Sequence, residues 1–114
     1  MPHVRIDGPC SVQSFWRRFE SKTSRDNQRI MKTLSAYSAR DASSVLVECV
    51  VVEGYLNQSF LVLLSQKEGG ILIRLYPGIA VEKSPGVRAC IGWLAELVLE
   101  HEPDARRGPE SLGT

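Results

Sequence analysis

Residues 11–38 contain neither glycine nor proline, and their apolar positions recur at helical spacing. Val12, Phe15, Trp16 and Phe19 stand at i, i+3, i+4 and i+7, the single stripe of an amphipathic helix. Ser11 is a suitable N-cap just after Pro9. The stripe weakens across 23–27 and resumes at Ile30, Met31, Leu34 and Tyr37. This predicts one long helix, or two with Ser24 capping the second. A competing reading makes 29–38 a strand hairpinned to 44–53 through a turn at 39–43. Helix is preferred because Ile30, Leu34 and Tyr37 do not alternate.

The pattern changes after residue 43. Residues 45–52 are rich in β-branched side chains, which suit a pleated surface. Gly54 and its neighbours turn the chain into 59–65. Gly69-Gly70 makes a tight connection, because glycine supplies the positive φ that such turns need. Residues 71–76 form a third strand, stopped by Pro77-Gly78, with 79–82 available as a short edge strand. Connections this short make neighbouring strands antiparallel. The last periodic segment, 84–102, opens with Ser84 as N-cap and Pro85 at the first helical position. It carries Val87, Ile91, Leu94 and Val98 on one stripe, widened by Trp93 and Leu97. The expected fold is therefore α+β: a three- to four-stranded antiparallel meander packed by N-terminal helix or helices and a C-terminal amphipathic helix. Residues 1–102 would form one domain, preceded by no recognisable signal segment, and 103–114 a flexible polar tail.

One strand departs from the usual pattern. An antiparallel strand with one wet face alternates apolar and polar residues, but 60–64 reads Phe-Leu-Val-Leu-Leu. Both of its faces need cover, and one helix layer covers only one. Homodimerisation or a stable protein partner is the expectation, with Phe60, Val62 and Leu64 as candidate interface residues.

Composition narrows the function classes. The 114 residues, 43% hydrophobic and 24% charged, match an ordinary globular domain. A core this small leaves little room for a deep cleft, which argues against an enzyme. No apolar run has the length of a membrane span, so a cytoplasmic protein without membrane contact is expected. Charge is distributed unevenly. Within 1–40, Arg5, Arg17, Arg18, Lys22, Arg25, Arg29, Lys32 and Arg40 outnumber Asp7, Glu20 and Asp26. On a continuous helix Arg18, Lys22, Arg25, Arg29 and Lys32 would make a basic stripe. Such a stripe suits nucleic-acid phosphates or an acidic protein surface, or is simply a solvated face paired with Glu96 and Glu100. The net charge of +1 favours the second description.

Candidate chemistry is sparse. Cys10, Cys49 and Cys90 form no CxxC, and His3 and His101 lie near opposite ends, so neither a metal nor a cofactor is expected. Cys49 and Cys90 read as small buried hydrophobes. Phe15, Trp16 and Trp93 sit on apolar helix stripes and read as core rather than as a stacking platform for bases. Glu48, Arg74 and Tyr76 interrupt apolar strands and could gather a polar ligand or form a structural ion pair. In a sequential meander the strands of Glu48 and Arg74 flank the middle one, so a direct bridge would be long.

Two resemblances follow from these segments. The order helix, three strands, helix resembles a double-stranded RNA-binding domain, but Glu82-Lys83-Ser84-Pro85-Gly86-Val87 lacks the lysine-rich opening of that family's last helix. The hairpin over 61–75 is similar to the central hairpin of the small proteasome-assembly chaperones, although the strand and helix that close that fold have no counterpart in the sequence. That resemblance implies a non-enzymatic, dimer-forming, assembly-chaperone-like binder. The combined expectation is a non-catalytic protein-interaction module, with nucleic-acid binding through the basic stripe as the alternative and a ligand or catalytic site at Glu48 and Arg74 as the third.

Overall fold

The computed structural model describes residues 2–112. Seven strands and two helices follow in the order β1 (His3–Asp7), α1 (Val12–Arg17), β2 (Lys22–Arg25), β3 (Arg29–Ser38), β4 (Ser44–Glu53), β5 (Leu56–Lys67), β6 (Gly70–Leu75), α2 (Pro85–Leu99) and β7 (Arg106–Ser111). The strands form one antiparallel sheet in the spatial order β2-β3-β4-β5-β6-β1-β7, curled into a half-barrel.

Along β4 every second residue is buried: Val45, Val47, Cys49 and Val51. Phe60, Val62 and Leu64 of β5, Ile71, Ile73 and Leu75 of β6, and Val4 and Ile6 of β1 continue the same inner surface. The helix α2 lies on it, burying Val87, Ile91, Leu94 and Val98, the stripe expected from sequence, together with Cys90. The short α1 adds Val12 and Phe15 to the same core.

The start of α2 is tied to the sheet by one carboxylate. The Ser84 hydroxyl accepts from Val87 N–H at 3.3 Å as N-cap and donates to Glu53 Oε2 at 2.5 Å. Gly86 N–H donates to Glu53 Oε1 at 3.0 Å. A carboxylate here meets both the free amides and the positive end of the helix dipole. A Cβ at residue 86 would collide with the Glu53 carboxylate and Val51, so glycine is required by the close approach.

The expected meander packed by N-terminal helices is not what forms. The structure is mostly antiparallel sheet, 48% strand and 19% helix, with one long helix. The main error lies at 22–38, where two strands replace the second helical stretch. The reason is a β-bulge. Pairing between β3 and β4 shifts register between Thr33 and Ser35, so Met31 and Thr33 point inward before it and Ala36 after it. The bulge also leaves Ile30, Leu34 and Tyr37 off the core at intervals of four and three residues, which imitate a helical period. The hairpin of 29–38 with 44–53, set aside in favour of helix, is the pairing observed. The order of elements that suggested an RNA-binding domain disappears with that helix.

Residues 106–111, expected to lie in a polar tail, pair with β1 as the edge strand β7. Their sequence, Arg-Arg-Gly-Pro-Glu-Ser, has no strand signal. Arg107 anchors the segment, donating to Glu96 of α2 at 2.6 Å and to Glu110 at 3.2 Å.

Leu94 is fully buried beneath the sheet, so Leu94→Ala is expected to lower the unfolding free energy by about 2–5 kcal/mol in urea titrations. Glu53→Ala, which frees the α2 start from the sheet, should cost about 1–2 kcal/mol in the same assay.

Candidate functional site on the outer sheet face

Side chains that do not face α2 face the other way, and the strand registers assign them to rows. One row runs Tyr37, Leu46, Leu63, Arg74 and His3 across β3, β4, β5, β6 and β1. The next runs Ser35, Glu48 and Leu61, with Tyr76 N–H, just past β6, donating to Leu61 O at 2.9 Å. On the other side lie Ser44, Ser65, Leu72 and Arg5. Val50 and Val52 of β4 extend the surface towards Lys32 and Ile30 of β3. Leu46, Leu61, Leu63 and Leu72 are each half-buried, and the first, second and fourth border Leu63, across β4, along β5 and diagonally on β6. The result is a contiguous aliphatic surface opposite the helices, because both α1 and α2 pack into the inner core.

This geometry corrects the interface residues expected from sequence. Phe60, Val62 and Leu64 are 2%, 0% and 0% exposed and belong to the core. The alternate residues, Leu61 and Leu63, take the outward positions. The run 60–64 is apolar on both sides, but the side that faces away from the helices is the other one.

Glu48, Arg74 and Tyr76 share the outer region without forming a cluster. Glu48 lies on β4 and Arg74 on β6, with β5 between them, and no salt bridge joins them among the described residues. Glu48 instead accepts a hydrogen bond from Tyr37 Oη at 3.2 Å. Tyr37 escaped notice as a partner because 29–38 read as helix. Arg74 Nε is buried and has no hydrogen-bond partner among the described residues.

The five-residue basic stripe breaks into separate groups once its helix is replaced by strands. Arg18 caps the C-terminus of α1 and bridges Glu102 at 3.4 Å. Lys22 pairs with Glu100 at 3.7 Å. Arg25 and Lys32 occupy outer-face positions on β2 and β3. Arg29 begins β3 opposite Glu53 and donates to Gln28 Oε1 at 3.3 Å. At 3.4–3.7 Å and with both cations partly exposed, the Arg18 and Lys22 bridges are long, and the exposed Lys22–Glu100 pair adds little stability.

A separate cleft of about 500 Å³ opens between the end of α1 and the end of α2. Phe15, Phe19 and Leu97 line it, with Arg18, Lys22, Glu20, Glu100 and His101 at its rim. The two phenylalanine rings meet edge to face at 6.0 Å. Both charge signs are balanced at the rim, so no net field favours one kind of ion. Trp16, expected in the core, is 39% exposed, and its indole N–H donates to Ala36 O at 3.1 Å. Trp93 is partly buried against the core.

Cys49 and Cys90 are buried, Cys10 is half-buried, and all three are free thiols. The neighbouring Cys90 thiol and burial together push the Cys49 thiol well above its usual range. Burial also raises Cys10, helped by the negative charge of Glu102. No group of three or more metal-ligating side chains occurs among the described residues. None of their helices is long and apolar enough to cross a membrane.

Because thiolates react and buried thiols do not, native protein treated with an aromatic disulfide reagent should yield slow release from Cys10 alone. Unfolding in denaturant should release all three thiols. Rapid native labelling of Cys49 or Cys90 would contradict the packing of β4 against α2.

Compared with protein-family models, with curated proteins and with solved structures, the chain matches none.

Proposed function

We propose that this chain is a non-catalytic protein-interaction module that binds through the outer face of its sheet. The observation that carries the reading is the aliphatic surface at Leu46, Leu61, Leu63 and Leu72, on the side away from both helices. Contiguous apolar patches are uncommon on the surfaces of lone soluble proteins and usually mark a contact with another macromolecule. The surface is built on the three central strands β4, β5 and β6, which makes it rigid as well as apolar. A rigid platform costs little conformational entropy on binding.

The experiment compares the tagged wild type with two variants purified from the cells that make it. Leu63→Glu places a charge in the middle of the surface. Leu61→Lys places one opposite Glu48, where an opposite charge within the chain helps the fold tolerate it. The wild type is expected in a complex, with itself or with another protein, that both variants lose while keeping the wild-type far-ultraviolet circular dichroism. A wild type that runs as a single 12.7 kDa chain, indistinguishable from both variants, would remove the reading.

A further inference from the structure

We propose that the occupant of the outer face is a second copy of this chain, packed sheet on sheet about a two-fold axis running along β5. This rests on the outer face being a protein-binding surface, and it names the partner. Charge complementarity selects this partner. Leu61 and Leu63 form a neutral ridge along β5, with an acid, Glu48, on the β4 side and a base, Arg74, on the β6 side. A two-fold axis parallel to β5 exchanges the two sides, laying β4 of each copy over β6 of the other. The acid of one copy then comes beside the base of its partner, twice per dimer, as a self-complementary isologous contact requires.

The pairing is unavailable within one chain. Glu48 and Arg74 are separated by β5, two strand spacings of about 4.8 Å each. Across the two-fold axis they lie one row, about 7 Å, apart along the strand and about 10 Å apart between the sheets, a gap that both side chains enter from opposite sides. Arg74 Nε is already screened from solvent within the single chain and has no acceptor among the described residues, so the terminal guanidinium nitrogens are the donors left for a partner's carboxylate. Arg29 and Arg88 also carry such an Nε. Arg29 sits on the inner side of β3 opposite Glu53, and Arg88 sits on α2, so neither shares the outer face.

The sheet curls around α2, so its outer face is convex and two copies meet along the central strands β4, β5 and β6. A contact of that width is smaller than the standard interface of about 800 Å² per partner, which suits a micromolar dimer. Aligned sheets pack about 10 Å apart with their side chains interleaved, and four leucines per copy would fill that layer.

The test uses the purified full chain alone, by sedimentation equilibrium from about 1 to about 100 µM, a range that brackets a micromolar dimer. The wild type is expected at twice 12.7 kDa in the upper part of this range. Glu48→Arg and Arg74→Glu should each weaken dimerisation about tenfold or more, since each sets like charges against each other. The double variant Glu48→Arg/Arg74→Glu should restore the affinity to within about threefold of wild type. A wild type that stays monomeric throughout overturns the dimer. The broader binding reading then stands only if Leu63→Glu still strips another protein from the native complex. A dimer whose affinity neither single change weakens, or which the double variant fails to rescue, overturns the proposed axis and pairing.

Discussion

Side chains on a strand alternate between its two faces, so an apolar residue at every position demands cover on both sides at once. β5 imposes that demand at the centre of this sheet. Its inward residues, Phe60, Val62 and Leu64, are covered by the two helices and are all but inaccessible. Its outward residues, Leu61 and Leu63, have only their neighbours on β4 and β6 for shelter. Helix α2 supplies one layer, Glu53 fixes where that layer starts, and the curl of the sheet closes around it. Among the described residues no further helix packs on the other side, which leaves the outer face bare.

The legible parts of the fold were those where one local signal had no competitor. Ser84-Pro85 and the stripe through Val98 define α2, and Ser11 caps α1 as its sequence suggests. The hairpin between β5 and β6 follows from Gly69, whose φ of +78° few other residues adopt. Residues 22–38 misled because a bulge at Thr33–Ser35 breaks the two-residue period just where apolar side chains fall at helix-like intervals. β7 was invisible because backbone pairing with β1 and the Arg107 ion pairs hold it, with no β-branched residue to mark it.

The candidate surface was legible as a need but not as a location. The absence of alternation at 60–64 signalled two covered faces, whereas choosing between odd and even positions required the register, since a shift of one residue exchanges the faces completely. The same uncertainty affected the charged residues. A stripe of five cations on a helix is a coherent electrostatic object. Distributed over α1, β2 and β3, those residues divide among the rim of the cleft, the outer face and, for Arg29, the inner side of β3, and two of them are already paired with glutamates. Glu48 and Arg74 follow the opposite course: they look like partners in sequence, and the sheet places them on either side of an apolar ridge.

The central claim is that Leu61 and Leu63 lose their solvent when the protein is in its working state. Leucine-methyl NMR with a soluble paramagnetic chelate measures this directly, using 40%-exposed Leu34 as the open reference and fully buried Leu94 as the closed one. The account predicts that at high protein concentration the Leu61 and Leu63 methyls relax like those of Leu94, and that they approach Leu34 on dilution. Methyls that track Leu34 at every concentration, in a chain that stays folded and alone, would contradict it.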